Sequence, residues 1–481
     1  MISSGAWTLF RANALCLVRR LLPLVRTNPV ISGLAILGPV TILAGLAWAG
    51  ARDVAALAAT PGDDTSTAIV LTVGVLFALV GFSVRHVSSI DGSLDAQIRS
   101  APLSRLGLFL GTVGIPFSAC CLVVSISSLV LFVPLFHAVG TRPYAPVQLA
   151  LFESAAFYAA GAVGEVFARV TRRRPAALLA LPVLVLCWVG SGLATGGGAW
   201  PGIARPLGHT VLNTGAEPAA ELTGWLLFLL LASVGVWVSL VTLLGSPEER
   251  TYSRAGRLLR APGSRFGAVS SVALKRMGRN RSVQRHVLFV AAVAGTLSCL
   301  TSVLLPGVAR AAIGGLVLLA AISVAVVPLA TYGTDRDSSW LWRSAPVTLA
   351  TYVLGMVVAG FCCGILALAL PAATAALPAF WAGGGPPELA TIAAVTAVAL
   401  LLATGTGFLV PCALENASEQ ILTYAVFGAL LAGVFAATSW AAPRLAVLGI
   451  PEPVVEAGLL LAAAALAVAV AFATEHERRK A

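Results

Sequence analysis

Two carboxylates, Glu153 and Glu165, stand in a stretch of chain that is otherwise almost wholly apolar. A charge in hydrocarbon costs several kcal/mol, so acidic residues in such a setting are candidates for proton binding, for lining a path, or for bonding between helices. Arg169 follows Glu165 by four residues, the spacing at which two side chains meet on one helix face. A local ion pair near the inner membrane surface is the expected result. Glu153 has no partner close in sequence, so a cavity-lining or proton-accepting role stands beside snorkelling or a bond to a neighbouring helix. These two glutamates are the candidates for a translocation path.

Other reactive side chains do not assemble into a motif. His86, His137, His209, His286 and His476 are scattered. The eight cysteines (Cys16, Cys120, Cys121, Cys187, Cys299, Cys362, Cys363 and Cys412) include no CxxC pair and lie mostly in apolar runs, where a free thiol packs as a small hydrophobe. No metal site is expected. A phosphate-cradling loop ends in Gly-Lys-Ser or Gly-Lys-Thr, and no Gly-Lys dipeptide exists here. The zinc-protease pattern HExxH is absent too, and Glu248-Glu249 with Arg254 reads as a solvated charged loop. The chain is expected to be no enzyme, with no catalytic residue and no cofactor of its own.

The elements that position these residues follow from composition. Hydrophobic residues form 58% of the 481 and charged residues 11%, against roughly 25% charged in soluble domains. Mean hydropathy is +0.93. Where water is absent, backbone polar groups are satisfied only in helices or closed barrels, and apolar runs of about 20 residues select helices. The fold class is all-α, a polytopic membrane bundle of about twelve transmembrane helices. Spans are expected near 29–50, 67–84, 106–137, 147–168, 175–194 and 222–244, then 286–305, 312–330, 348–378, 388–410, 420–440 and 455–473. The third and ninth are too long for one perpendicular span, and Pro116 and Pro371 suggest a kink or an extension past the surface.

Basic residues give the orientation. With the N-terminus inside, 26 of the 31 Lys and Arg fall in inner segments and five (Arg52, Arg142, Arg205, Arg310, Arg444) in outer ones. That asymmetry places both termini in the cytoplasm and accounts for the net charge of +11 without nucleic acid. Arg outnumbers Lys 29 to 2, a bias that fits a high-GC bacterial genome and hence a bacterial cell membrane.

The chain also repeats. Arg99-Ser100-Ala101-Pro102 recurs as Arg343-Ser344-Ala345-Pro346, 244 residues on. At this offset nine of the 27 positions from 91 to 117 are identical, among them Asp91 with Asp335, Gly111 with Gly355 and Phe117 with Phe361. Two six-span repeats, each with an even number of crossings, lie parallel about an axis along the membrane normal. The expected order is an amphipathic cytoplasmic helix (1–28), a first repeat (29–244), a basic linker (245–285), a second repeat (286–473) and a tail (474–481). The repeated inner loop is a short helix and a proline turn, with Ser104 or Thr348 two residues on to cap the next span. Trp340 and Trp342 at its aqueous side suit a docking surface.

An acidic residue, a short helix, Arg-Ser-Ala-Pro, Ser or Thr, then a glycine opening the span: this pattern resembles ATP-binding-cassette exporter permeases of the type-2 class. The N-terminal segment adds to the likeness. Its stripe of Phe10, Ala14, Leu17, Leu21 and Leu24 lies apart from Arg11, Arg19, Arg20 and Arg26, as in a basic helix on the inner membrane surface. The chain departs from that family in having Gly111-Thr and Gly355-Met where Gly-Lys is common, and in joining two six-span units on one chain. The resemblance implies a permease whose loops couple to separate ATPase subunits, in two copies, which bind ATP and Mg. Asp91, Arg99, Ser100, Pro102, Asp335, Trp340, Trp342, Arg343, Ser344 and Pro346 would make that coupling. The other partner expected is membrane lipid. Two alternatives are a 6+6-span transporter driven by an ion gradient and an intramembrane enzyme acting on lipid. The topology has its own test: alkaline phosphatase fused within 195–221 should be active, and fused within 85–105, 245–285 or 332–347 inactive.

Overall fold

The computed structural model describes residues 110–139, 143–173, 206–210, 219–244, 264–304, 309–335, 347–381, 389–412, 423–434 and 452–480, most positions between 70 and 82, and the single residues 11, 180, 437 and 444. The expected spans 29–50 and 175–194, Ala180 excepted, lie outside these. Every regular element among the described residues is helical. The chain forms two compact units. The first consists chiefly of Leu43–Ala177 and Val183–Glu249 and the second of Arg250–Ala481, so the division falls inside the expected linker.

In the first unit, α1 (Ile115–Val139), α2 (Ala145–Arg173) and α3 (Ala219–Leu244) are long apolar helices. α1 is preceded by a wider π-type turn at Leu110–Gly114. Pro116 has no N–H to give the preceding turn, and the wide turn absorbs the missing bond. α2 packs against both α1 and α3, most extensively against α3.

The second unit opens with α4 (Arg265–Arg279), inside the stretch expected to be linker. Ser264 caps it, accepting the Gly267 amide at 3.0 Å. Its buried residues Val269, Ser270, Ala273 and Met277 recur at helical spacing, while Arg276 and Arg279 stand in the last turn, where cations suit the helix dipole. Asn280 then makes the corner alone. Its backbone N–H closes α4, and its side chain accepts the Ser282 amide at 2.8 Å to start α5 (Arg281–Leu304). Next come α6 (Ala309–Val324) and α7 (Val326–Asp335), broken at Ala325. Pro328 explains the break, since a proline frees and crowds the carbonyl four residues before it, here Val324.

α8 (Leu349–Trp381), α9 (Leu389–Leu409) and α10 (Glu452–Lys480) complete the unit. Thr348 caps α8 as expected, its Oγ1 accepting the Thr351 amide at 3.2 Å. α8 runs unbroken through Pro371, so its 33 residues are about 50 Å long at 1.5 Å per residue. No helix break at Pro371 accounts for its length. α10 also continues past residue 473, through the stretch expected to be a tail. The main packing pairs are α5 with α8, α9 with α10, and α4 with α8.

Among the described residues five stretches are long and apolar enough to cross a membrane: Ala145–Phe167, Ala220–Val241, Gly314–Gly333, Leu349–Leu377 and Ile392–Leu409. Shorter apolar helices occupy Val73–Phe82, Ile115–Val130 and Thr423–Val434. Five is fewer than the twelve expected, and the described residues carry no evident pair of six-helix repeats. The surfaces are inside out relative to a soluble bundle. Leu122, Ile126, Phe228, Leu231, Leu366 and Leu461 are exposed, as suits contact with lipid. Buried hydroxyls bond back to their own helix: Thr296 to the Ala292 carbonyl at 2.7 Å, Thr404 to Leu400 at 2.8 Å and Thr406 to Leu402 at 2.7 Å.

Glycines set the closest contacts. A Cβ on Gly407 of α9 would run into the Leu329 carbonyl of α7, and one on Gly333 into Cys412. On Gly355 of α8 it would lie 2.9 Å from Val269, so this bare position lets α4 settle on α8, where Ser270 donates to the Gly355 carbonyl at 3.0 Å. Gly407→Ala should therefore destabilise the protein by about 1–3 kcal/mol, the cost of overpacking. Gly458→Ala, at a position with open space, should not. Thermal unfolding in detergent is the measurement.

Candidate functional site

The most polar interior position described in the first unit lies between α1 and α2. Along α1, Cys121, Ser125 and Ser128 recur at spacings of four and three, all buried. Glu153, eight residues into α2, is 0% exposed. The Ser128 hydroxyl donates to Glu153 Oε1 at 2.5 Å. Glu153 Oε2 has no hydrogen-bond partner among the described residues, and neither does Ser125 Oγ beyond the weak thiol of Cys121 alongside it. Glu153 therefore bonds across helices, one of the options open from sequence. The hydroxyl that meets it, Ser128, belongs to another helix and carries no signal in the sequence that links it to Glu153.

Two contacts tie α2 to its neighbours on either side of Glu153. Toward the start of α2, Gln148 donates from Nε2 to Thr223 Oγ1 of α3 at 3.0 Å. One turn beyond Glu153, Phe157 and Tyr158 of α2 join Phe117 of α1 and Trp237 of α3. Phe117 lies over Trp237 at a centroid distance of 4.5 Å and an interplanar angle of 22°, and tilts against Phe157 at 4.5 Å. Tyr158 donates to Ser118 at 2.7 Å. Gly161 makes room for this packing, since a Cβ there would lie 2.5 Å from Phe117 Cζ. Aromatic pairs in such geometry add about 0.5–1.5 kcal/mol each beyond their area.

Glu165 is also buried, at 2% exposure, but twelve residues separate it from Glu153. That is about 18 Å along one helix, so the two carboxyls do not form one site. The Arg169 side chain, its expected partner, lies outside the described residues. So do Asp91, Arg99, Ser100, Pro102, Trp340, Trp342, Arg343, Ser344 and Pro346. Asp335 is placed only as the last residue of α7.

A polar pair in the second unit escaped sequence reasoning. Tyr332 of α7 donates to Glu475 Oε2 of α10 at 2.8 Å, and its ring packs on Phe408 of α9 at 4.5 Å. Glu475 is fully buried, although its place in the charged run near the C-terminus reads as a solvated tail. The bond joins the helix that leads into the 332–347 loop to the C-terminal helix. Among the described residues no three His, Cys, Asp or Glu side chains converge as a metal site.

No protein-family model matches the sequence, and no curated protein and no solved structure matches it.

The Ser128–Glu153 bond has a direct energetic test. In a double-mutant cycle of Ser128→Ala and Glu153→Gln, followed by thermal unfolding in detergent, the two changes should be non-additive by about 0.5–3 kcal/mol. Additive losses would mean that the two side chains act independently.

Proposed function

We propose that this chain is a transport permease: two six-span halves on one polypeptide, opened and closed by separate ATP-binding-cassette ATPase subunits docked on its cytoplasmic loops. The observation that carries the reading is the repeated inner-face element, Asp91 with Arg99–Pro102 and Asp335 with Arg343–Pro346. A turn used twice at one offset is what a pair of identical motors would require. Packing in the two units supports the duplication. The sixth-span helix of each half lies most closely on the fourth, as α3 on α2 and as α10 on α9.

The third and fourth spans also meet at matched register. Phe117 faces Gly161 in the first unit, and Gly360 faces Thr404 in the second. At the 244-residue offset Phe117 corresponds to Phe361 and Gly161 to Gly405, each one residue from the partner used. The glycine has changed sides while the contact has kept its level.

In this reading ATP and Mg belong to the partner. ATP binding would draw two ATPase subunits together under the membrane, and the two loops would carry that movement into the spans. The span after the second loop begins at the Thr348 cap, and Gly355 seats the basic amphipathic helix α4 on it, an arrangement able to move as one piece. Export of an apolar or amphipathic cargo suits a path with few charges.

A second reading, an ion-gradient transporter, draws on one observation: the buried Glu153 carboxyl. Two measurements decide between them. Affinity purification from native membranes should recover an ATPase subunit with the chain. Asp91→Asn, Pro102→Ala, Asp335→Asn and Pro346→Ala should each cut ATP-driven transport about tenfold, within the range of ordinary coupling energies, without lowering the unfolding temperature. Transport in vesicles on a proton gradient alone, with no nucleotide, would replace the ATPase-driven reading with the second.

A further inference from the structure

Glu153 is enclosed on every described side by helices that bring no compensating charge. α1 carries only Cys120, Cys121 and His137 as ionisable groups, and His137 is nine residues beyond Ser128. α3 carries only Glu221, exposed in its first turn. Val73–Phe82, which packs on Leu149 and Ala156 of α2, has none. On α2 itself the next ionisable group is Tyr158, whose hydroxyl is given to Ser118. What reaches the carboxyl is the Ser128 hydroxyl on one oxygen, with the Ser125 hydroxyl and Cys121 thiol in the same interface.

That donor set is too small for a metal cation. Hard cations take six or more oxygens, and among the described side chains one carboxyl and the hydroxyls of Ser125, Ser128 and Ser154 are at hand. A proton needs a single lone pair, and Oε2 offers it. We infer that Glu153 is a proton-binding site of the first unit, occupied at Oε2 while α1 and α2 are closed over it and able to exchange with water only when they part. The step is the addition or loss of one proton at one oxygen, with water as source and sink. The second half carries no counterpart at the repeat offset. At the 244-residue offset Cys121, Ser125, Ser128 and Glu153 meet Ile365, Ala369, Ala372 and Ala397, none able to hold a proton. The inference is independent of the ATPase-driven reading and can fail or stand without it.

The full-length protein, reconstituted in phosphatidylcholine nanodiscs, supplies the test. Dicyclohexylcarbodiimide enters apolar sites and adds across its C=N bond to a protonated carboxyl. Peptide mass mapping should find the adduct on Glu153, falling at least tenfold as pH is raised to the alkaline side. Infrared difference spectra of wild type minus Glu153→Gln should contain a protonated-carboxyl C=O band that shifts in D2O. A band without the adduct still supports the proton, in a site closed to the reagent. Absence of the band overturns the inference, as does labelling of Glu153 that ignores pH. Should Glu153→Gln fail to fold, the pH dependence of labelling in the wild-type chain decides alone.

Discussion

Within hydrocarbon no water is available to receive a polar group, and every N–H, C=O and hydroxyl needs its partner inside the protein. That requirement organises both units. It makes every regular described element a helix, sends Thr296, Thr404 and Thr406 back onto their own turns, and turns exceptions into landmarks. Among the described residues these include a carboxyl oxygen of Glu153 and the hydroxyl of Ser125, in one helix interface of the first unit, and the hydroxyl of Thr396 on α9.

Cohesion between the helices has a different origin. Lipid tails are as apolar as leucine, so hydrophobic burial gives little preference for helix over lipid, and close van der Waals contact takes its place. Gly407 on the Leu329 carbonyl, Gly360 on Thr404 and Gly161 on the Phe117 ring are contacts of this kind. They bring backbone to within reach of backbone or ring, where dispersion is strongest. The same closeness makes each interface intolerant of an added methyl group.

The two units differ where chemistry is concerned. The second is laced by hydroxyl-to-carbonyl bonds, such as Ser298 to Ala375 at 2.5 Å and Thr374 to Ala291 at 2.8 Å, and by the Tyr332–Glu475 pair. The first buries Glu153 between α1 and α2, one turn from a cluster of aromatic rings.

Helix identity and apolar surroundings were legible from the chain alone, because they follow from local averages and local spacing: runs of about 20 apolar residues, a threonine placed to cap α8. Which side chains meet was not legible, because meeting depends on how helices lie against each other. Ser128 and Glu153 are 25 residues apart, and Tyr332 and Glu475 are 143 apart; no spacing rule links either pair. Glu475 shows the difference most sharply. Its neighbours in sequence are charged and suggest water, while its neighbours in space are Tyr332 and the buried end of a helix bundle, and burial is decided by the latter.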